Sequence, residues 1–362
     1  MIGFGKRYPL VSIIILNLNG GEVTKRCLNS VLKTNYSNFE VILVDNGSSS
    51  KEREELKKLY KGKVKFIFNK KNLGYAGGNN IGAEKAKGKY LVFLNNDVEV
   101  PSDWLLFPIQ KMEVDKNIAF LQPKIKWLKN KSFFEYAGGA GGYIDIFGYP
   151  FSRGRIFGCL EEDVGQYNDG KEIFWASGVA LFCRKKIFKK LGMFDPIFFA
   201  YSEEIDLCFR AHRAGFKVIY YPLSTVFHLG GFTANRNPPF KIFLIHRNHL
   251  ILMIKNLNFL EIILLFIPRI FMDFVAIIYY LAHYRSLRSS LAVIKAYNSL
   301  IRLLPKIINK RKNSNIKNFG YPKFGNLVHR GSILWEYFIL GKKRYSEIVK
   351  GYYVKSRTIK IF

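Results

Sequence analysis

VSIIIL, at Val11–Leu16, is the stretch that decides the fold class. Its residues are apolar apart from one serine and rich in β-branched types, which is typical of a strand buried on both faces. Strand and helix patterns then alternate. The predicted strands are Val11–Leu16, Glu40–Val44, Val64–Phe68 and Tyr90–Leu94, and the predicted helices are Gly20–Lys33, Lys51–Lys61 and Ala76–Lys87, the last ended by Gly88. This alternation predicts an α/β fold with a mostly parallel central sheet and helices on both faces.

Polar residues stand where three of these strands end. Asn17, Asp45 and Asp97 follow the first, second and fourth predicted strands. In sheets of this class, ligands bind beyond the carboxyl ends of the strands. We therefore expect the functional site at this edge of the sheet.

The chain from residue 127 onward continues with weaker patterns. Trp127–Gly170 is rich in glycine and predicts irregular hairpins and loops. The later predicted elements are a strand at Phe174–Cys183, helices at Lys185–Leu191 and Glu203–Ala214, and a strand at Lys217–Tyr221. Ser202 stands where the N-cap of the second helix belongs, and Gly215 stands just after its end. The last strand leads into the sequence HLGG, which begins at His228.

The charge of the chain points to an anionic partner. Among its 362 residues, 57 Lys and Arg face 27 Asp and Glu, which gives a formal net charge of +30. From His283 to Phe362 there are 18 basic residues and two acidic ones, so over half of the excess lies in that segment. Nucleic acid, an anionic membrane surface and a phosphorylated substrate would each fit such a charge.

The cysteines indicate the redox compartment. Cys27, Cys159, Cys183 and Cys208 are widely spaced, form no CxxC pair and lie in or beside apolar stretches. We expect buried, reduced thiols rather than zinc ligands or disulfides, and hence a reducing compartment. The first nine residues carry no long apolar segment, so no secretory signal is expected.

Phe240–Ala282 is a long segment rich in Ile, Leu, Phe and Tyr. A transmembrane span needs about 20 mostly apolar residues. The segment is interrupted by Lys255, Glu261, Arg269 and Asp273, and Pro268 is expected to kink any helix formed there. We therefore favour interfacial amphipathic helices, followed by a basic tail that meets anionic head groups. The alternatives are a helical subdomain packed on the preceding domain, and a true span.

The motifs of the first two thirds resemble glycosyltransferase family 2, in its rhamnosyltransferase-like branch. Six motifs occur in family order: VSIIILNLNG (Val11–Gly20), VILVDNGS (Val41–Ser48), NLGYAGGNNIG (Asn72–Gly82), LVFLNNDV (Leu91–Val98), SGVALFCR (Ser177–Arg184) and YSEEIDLCFR (Tyr201–Arg210). The resemblance implies a GT-A catalytic domain over residues 1–239 and an inverting, metal-dependent transfer from a nucleoside-diphosphate sugar. It leaves residues 240–362 as a helical, basic, membrane-associating region.

The resemblance also implies a metal site for Mn²⁺ or Mg²⁺. The sequence Asn95-Asn96-Asp97 is similar to the family's Asp-x-Asp element, and His228 resembles its downstream histidine. A divalent cation would bridge the two phosphates of the donor and help the diphosphate to leave. Without the motifs, Asp97 would be interpreted as a loop-capping aspartate and His228 as a core histidine.

Inversion requires a base on the side of the sugar opposite to the leaving group. In the family this base is the second acid of a Glu-Asp pair, which corresponds here to Glu204 of Glu203-Glu204. Glu203 is the alternative base, or a residue that binds acceptor hydroxyls, and Asp206 is expected to be structural or to contact the acceptor. Without the motifs, these acids would only favour the positive end of a helix dipole.

Donor binding is assigned to a further set of residues. Asp45 resembles the family's pyrimidine-binding residue, and the resemblance implies that Asn17 and Asn19 lie near the same base and ribose. It also implies a donor-binding role for Asn72, Gly74 and Gly77, in a glycine-rich loop, and for Asn95 and Asn96. A simple turn before a helix is the alternative for the glycines.

The function expected from these patterns is sugar transfer at the cytoplasmic face of the cell membrane by a peripheral protein. The branch resemblance favours dTDP-rhamnose over a UDP-sugar as donor. A glycan or lipid-linked acceptor in cell-surface polysaccharide synthesis is the expected partner. The alternatives are a noncatalytic membrane-associated scaffold and a basic nucleic-acid-binding protein. Acids at the strand ends would repel the phosphates of nucleic acid, so nucleic acid is not expected as a partner.

Overall fold

A computed structural model describes residues 8–230, 238–314, 319–321, 327–349 and 356–360. The strands are β1 (Val11–Asn17), β2 (Phe39–Asp45), β3 (Lys65–Phe68), β4 (Tyr90–Asn95), β5 (Val98–Glu99), β6 (Ile118–Trp127), β7 (Asn130–Phe134), β8 (Gly142–Asp145), β9 (Pro150–Ser152), β10 (Arg155–Ile156), β11 (Cys159–Glu161), β12 (Lys171–Glu172), β13 (Ala180–Arg184), β14 (Lys217–His228), β15 (Val328–His329) and β16 (Thr358–Lys360). The helices are α1 (Glu22–Val31), α2 (Ser50–Leu59), α3 (Gly74–Lys85), α4 (Leu106–Val114), α5 (Lys185–Lys190), α6 (Glu203–Arg213), α7 (Pro238–Asn256), α8 (Phe259–Ala282), α9 (Leu287–Lys312) and α10 (Tyr345–Ile348). The final glycine of the HLGG sequence lies outside the described residues.

A mixed sheet forms the centre of the protein. Its strand order is β12-β14-β6-β13-β4-β1-β2-β3, with β5 paired to β14 and β7 paired to β6. The four strands β4, β1, β2 and β3 run parallel, as the sequence predicts. The sheet becomes mixed at β13, which pairs antiparallel with both β4 and β6.

Both faces of this sheet are covered by helices. Along β1, Ile13 and Ile15 pack into one apolar layer, whereas Ile14 packs into the other. Because successive side chains of a strand point to opposite faces, an unbroken apolar run is what a doubly covered strand needs. All four cysteines are buried free thiols, as predicted.

The C-terminal region packs against this domain and contributes to a second sheet. That sheet has six strands in the order β15-β8-β9-β10-β11-β16. Strands β8 to β11 come from the glycine-rich segment, and β15 and β16 come from the C-terminal region. Strands from both sides of the expected boundary at residue 239 are therefore hydrogen-bonded to each other in one sheet.

Two predictions about individual elements were wrong. Phe174–Cys183 was expected to be one strand, but only its last residues belong to β13, because Phe174 hydrogen-bonds to Gly142 of the second sheet instead. Helix α3 ends at Lys85, and Gly88 serves close packing, since a Cβ there would lie 2.6 Å from the Ser12 nitrogen. Ser202 occupies the N-cap position of α6, as predicted, although its side chain makes no capping hydrogen bond. Pro268 lies within α8, which continues on both sides of it.

Helix α8 has an exposed apolar face. Within the described part of the chain, α8 is the helix that is long and apolar enough to cross a membrane, by length and composition. Ile267 and Phe271 are 71% and 67% exposed, respectively. Arg269 and Asp273, halfway along the same helix, are buried. The helix is therefore amphipathic in an unusual sense, since its apolar side faces outward and its charges face the protein.

Candidate active site

Asn17 is the centre of a polar cluster at the carboxyl ends of β1, β2 and β4. Its amide nitrogen donates to Asp45 Oδ2 at 3.2 Å, to Ser48 Oγ at 3.2 Å and to Glu52 Oε1 at 3.0 Å. Its amide oxygen accepts hydrogen bonds from Thr24 Oγ1 and Asn96 Nδ2. The side chain is fully buried, so it ties three strand ends together.

Asp45 and Asn19 lie at the same edge. Asp45 Oδ1 accepts the Arg53 guanidinium at 2.7 Å and the backbone N–H of Gly47 and Ser48. Asn19 has a positive φ of 49° and bridges to the next strand end, since its own N–H donates to Ser48 Oγ. Charge-assisted hydrogen bonds of this kind fix the Asp45 carboxylate in one orientation.

Asn46 organises the loop before α3, and sequence reasoning missed it. It is buried, and its amide nitrogen donates to Asn72 Oδ1 at 2.8 Å and to the Gly74 carbonyl at 3.1 Å. Its amide oxygen accepts from Leu73 N. The only available signal was its position beside Asp45 at a strand end.

The glycines of this loop have different roles. Gly74 has φ of 72°, and a Cβ there would lie 2.2 Å from the carbonyl oxygen of Phe199. Gly77 lies within the first turn of α3 rather than in the loop. Gly78 and Gly82 let α3 approach the sheet, because a Cβ on either would lie within 2.6 Å of Leu16 or Ile14. Of the three residues predicted in this loop, Asn72 lies before the helix, Gly74 begins α3 and Gly77 lies in its first turn.

Asp97 and His228 form a buried pair across the ends of β5 and β14. His228 Nε2 lies 2.9 Å from Asp97 Oδ1 and 3.5 Å from Asn95 Nδ2. Asn96 points the other way, toward Thr24 at 2.8 Å and Asn17. The structure thus brings together two residues that are 131 positions apart in the sequence, as the motif comparison predicted.

Glu135 completes this pair and was not predicted. Its Oε2 lies 3.1 Å from His228 Nδ1, so the imidazole ring stands between two buried carboxylates. Burial opposes the charged ring, but the charges of Asp97 and Glu135 outweigh it and hold the pKa of His228 well above its ordinary value. Burial likewise opposes ionisation of Asp97, whose pKa is nevertheless lowered by the charge and hydrogen bond of His228.

Glu203 and Glu204 begin α6. Each has a carboxyl oxygen, Oε2, that is buried and has no hydrogen-bond partner. Burial raises the pKa of Glu203 well above its ordinary value, and the neighbouring Glu204 raises it further. Burial also raises the pKa of Glu204, to about 7, against the effect of nearby backbone N–H groups. Burial raises the pKa of Tyr75 of α3 well above its ordinary value, and the charges of both carboxyl groups raise it further.

The backbone that leads into α6 is strained. Phe199, Tyr201 and Ser202 all have φ between 65° and 69°, a region in which each L-residue costs about 1–2 kcal/mol. Phe199 is the centre of a tight γ-turn, closed by a 2.8 Å hydrogen bond from Ala200 N to the Phe198 carbonyl. Such strain persists only where the surroundings enforce it, and it is concentrated at functional sites.

Asp206 is bound on all sides by structural partners. Its Oδ2 lies 2.8 Å from both Arg210 and Lys255, and its Oδ1 accepts the Asn256 amide at 2.9 Å. Burial opposes its charge, but Lys255 and Arg210 lower its pKa below the usual value. These contacts support the structural alternative for Asp206 over an acceptor contact.

The sequence model of the family described as "Glycosyl transferase family 2" matches residues 12–192. The chain belongs to this family. The matched range includes the strand-end cluster and Asp97, whereas Glu203, Glu204 and His228 lie beyond it. Their assignment in this family 2 chain rests on the motif resemblance and on the geometry described above.

Several curated relatives are glycosyltransferases or glycan-biosynthesis proteins. The O-antigen biosynthesis protein RfbC of Myxococcus xanthus is 28% identical over 63% of this chain and 18% of its own length. An uncharacterized glycosyltransferase of Rickettsia bellii is 36% identical over 57% of this chain and 28% of its own length. The low-salt glycan biosynthesis hexosyltransferase Agl10 of Haloferax volcanii is 26% identical over 58% of this chain and 63% of its own length. The family 2 chain thus spans less than two thirds of each of these relatives.

Solved structures share its fold. GalNAc-T7, crystallised with UDP, GalNAc and Mn²⁺, aligns with a TM-score of 0.56 and 21% identity over 69% of this chain and 48% of that one. The mannosyltransferase PcManGT of Pyrobaculum calidifontis, in complex with GDP-Man and Mn²⁺, aligns with a TM-score of 0.50 and 12% identity over 86% of this chain and 83% of that one. Both are GT-A glycosyltransferases, and the family 2 chain has the GT-A fold.

Proposed function

We propose that the protein is an inverting glycosyltransferase that moves a sugar from a nucleoside-diphosphate sugar to a glycan or lipid-linked acceptor. The observation that carries this proposal is the pair Glu203–Glu204, in which each carboxyl group keeps a buried oxygen without a partner. Buried acceptors in proteins are nearly always paired, so two unpaired ones side by side indicate a group that binds there during function. An acceptor hydroxyl is such a group, because it donates a hydrogen bond before it loses its proton.

Glu204 is the base in this mechanism. Its carboxylate takes the proton of the acceptor hydroxyl, whose oxygen bonds to the anomeric carbon from the side opposite to the diphosphate. The bond between that carbon and the diphosphate oxygen breaks, and the nucleoside diphosphate leaves with the electron pair. The raised pKa of Glu204 makes its carboxylate a better proton acceptor near neutral pH than an exposed glutamate.

Asp97 and His228 are the residues that would hold a divalent cation, Mn²⁺ or Mg²⁺. When bound, this ion supplies positive charge that stabilises the departing diphosphate. The described residues contain no group of three or more His, Cys, Asp or Glu that could hold a metal ion. One carboxylate and one imidazole nevertheless fit a cation that takes its other ligands from phosphates and water. Because His228 must lose a proton to bind a metal, cation and proton compete there.

The donor that we favour is dTDP-rhamnose, with a UDP-sugar as the alternative. Each carries a pyrimidine ring with an N–H donor. Asp45 Oδ2 accepts one hydrogen bond, from Asn17, so it has room for a second donor. The resemblance to the rhamnosyltransferase-like branch and the similarity to RfbC support this donor and a role in cell-surface polysaccharide synthesis.

The location that we propose is the cytoplasmic face of the cell membrane, with α8 lying along the surface. The buried charges halfway along α8 favour this arrangement over a span. Arg269 donates to the carbonyl of Phe147 in the β8–β9 turn at 3.0 Å, and Asp273 lies 2.9 Å from His246 of α7. A spanning α8 would bring the polar backbone of this turn to the middle of the bilayer, where it would be costly.

A panel of nucleotide sugars tests the proposed activity. Thermal shift and calorimetry with dTDP-rhamnose, UDP-sugars and GDP-mannose, each with Mn²⁺ or Mg²⁺, should identify one pyrimidine donor that stabilises the protein. The same donor should be hydrolysed slowly when no acceptor is present. A protein that binds none of these donors with either metal, or binds without hydrolysis or transfer, would contradict an enzymatic function and favour a noncatalytic scaffold.

A further inference from the structure

Three carbonyl groups of the strained turn before α6 accept hydrogen bonds from one residue of α7. Asn248 of α7 is fully buried, and its amide nitrogen lies 2.9, 2.8 and 2.7 Å from the carbonyl oxygens of Phe198, Ala200 and Tyr201. An amide nitrogen has two hydrogens, so the three carbonyls share them in bifurcated bonds. One side chain thus holds the backbone whose φ values are unfavourable.

Arg247 fixes the orientation of this amide. Its Nε and Nη2 donate to Asn248 Oδ1 at 3.0 and 2.8 Å. Nη2 also donates to the carbonyls of Ile197 and Phe198, at 3.2 and 2.9 Å. A flipped amide would place the Asn248 oxygen against three carbonyl oxygens and its nitrogen against a cation, so only one orientation is compatible with these neighbours.

The other side of the turn rests on the start of α3. The carbonyl of Phe199, which Asn248 does not bind, accepts the N–H of Ala76 at 3.2 Å. A Cβ at Gly74 would collide with this same carbonyl. The turn is therefore enclosed between α3, which follows the glycine-rich loop, and α7. Its last two residues, Tyr201 and Ser202, lead directly into Glu203.

We propose that Asn248 and Arg247 are positioning residues that hold Glu203 and Glu204 in place for the reaction. This inference rests on the proposed function, because it holds that the turn serves to position the two carboxyl groups. Both residues belong to the part of the chain in which no sequence motif was recognised. A turn in unfavourable backbone conformations relaxes when its partners are removed. When the strained turn relaxes, the first turn of α6 moves as well, and the carboxyl group of Glu204 moves with that helix turn.

The test is a double-mutant cycle between Asn248→Ala and Glu204→Gln. Asn248→Ala should lower kcat about 10- to 100-fold, as expected for a small displacement of a catalytic group. Its affinity for the bound nucleotide, dTDP or UDP, should stay unchanged. In the Glu204→Gln background the same substitution should cost no further activity, because there is no base left to misplace. Loss of folding alone would lower activity equally in both backgrounds.

Asn256→Ala is the matched control. Asn256 is also a fully buried amide of α7, with bonds to Asp206 and to the Leu252 carbonyl, but it does not touch the strained turn. The Asn256→Ala substitution should reduce thermal stability about as much as Asn248→Ala does and leave kcat near the wild-type value. Should Asn248→Ala fail to fold, Arg247→Lys, which keeps the charge and removes the planar fork, carries the same cycle.

The outcomes are separable. An active Glu204→Gln enzyme contradicts the assignment of Glu204 as the base, and if Glu203→Gln is active too, the proposed mechanism itself. An inactive Glu204→Gln enzyme together with a fully active, folded Asn248→Ala enzyme contradicts only the positioning role. Additive losses in the double mutant also overturn it, because Asn248 would then act independently of Glu204.

Discussion

At the scale of single residues, Asp97 is the carboxylate on which donor activation should depend most. We predict that Asp97→Asn abolishes transfer while the fold survives, because the side chain keeps its size and His228 keeps Glu135 as a partner. The measurement is turnover at saturating donor and metal, together with the thermal midpoint. Asp103→Asn, which changes an exposed carboxylate of the same segment, should leave turnover unchanged. A folded Asp97→Asn enzyme with near-normal turnover would rule out this role.

Glu204 gives the second prediction at this scale. Glu204→Gln should lower transfer by about 10²–10⁴-fold, the range for losing a general base, with donor affinity intact by calorimetry. Glu203→Gln should have a smaller effect if the second acid is the base. Should Glu203→Gln be inactive and Glu204→Gln active, the assignment is displaced by one residue.

The pH dependence of kcat checks the same assignment. The base works as a carboxylate, and burial raises the pKa of Glu204 to about 7. Activity should therefore be complete above this value and fall as the pH drops through it, by about tenfold per pH unit. Since the two glutamates interact, the observed value belongs to the pair. An inflection near 4.3, the ordinary value for glutamate, would contradict a buried base.

Sequence motifs identified some residues of the site and not others, for a physical reason. Asp97 and His228 stand in motifs beside strand ends, so their meeting could be predicted. Glu135, Asn46 and Asn248 act through tertiary contacts that leave no spacing pattern in the sequence. A buried asparagine that binds three carbonyls has the same sequence appearance as any other asparagine on a helix. Only the three-dimensional partners distinguish it.

At the scale of elements, the parallel half of the sheet was predicted well and its centre was not. Strand β6, which lies between β13 and β14, reads IAFLQPKIKW and contains a proline and polar residues. Lys124 is nevertheless buried, because it pairs with Asp163 at 2.9 Å and with Asn168 at 2.7 Å. Such a strand lacks both the alternating and the continuous apolar pattern. Its place depends on tertiary partners that sequence periodicity does not reveal.

The junction between α6 and α7 gives a prediction about stability. Lys255 Nζ lies 2.8 Å from both Asp195 and Asp206, which are buried. Lys255→Met should lower the free energy of unfolding by about 3 kcal/mol, since breaking a buried ion pair leaves uncompensated charge. Lys58→Met, on the exposed side of α2, should change it little. Urea unfolding at pH 7 is the measurement.

The stability lost on Lys255→Met should depend on pH in a defined direction. Burial opposes the charges of Asp195 and Asp206, but Lys255 holds the pKa of each below the usual value. Their stabilisation is therefore present above the ordinary aspartate value, about 3.9, and disappears as the pH falls through the folded-state values. The difference between wild type and Lys255→Met should shrink in acid. A difference that is equal at pH 7 and pH 3 would show that charge pairing is not its origin.

At the scale of the whole molecule, charge and apolar surface occur together in the C-terminal region. Besides those of α8, exposed apolar side chains lie on α9 and in the segment 335–340: Leu287, Leu291, Ile294, Ile301, Trp335, Phe338, Ile339 and Leu340. Tyr279 of α8 contacts Phe338, which joins α8 to the segment 335–340. A patch of this extent on a soluble monomer marks an interaction surface. The excess of basic residues in the same region matches an anionic membrane rather than a neutral one.

Binding to liposomes should therefore require both apolar burial and charge. The protein should bind anionic vesicles more tightly than neutral ones, and salt should weaken binding, because the Debye length falls to about 3 Å at 1 M. Ile267→Glu combined with Phe271→Glu should reduce binding about 100-fold or more, because burial of each side chain contributes about 1.5–3 kcal/mol. Leu223→Glu, on a similarly exposed apolar residue of β14, is the control and should bind normally.

Equal binding to neutral and anionic vesicles would contradict the charge component. Release by detergent but never by salt or high pH would favour a span, since an in-plane helix has only one face in the acyl chains.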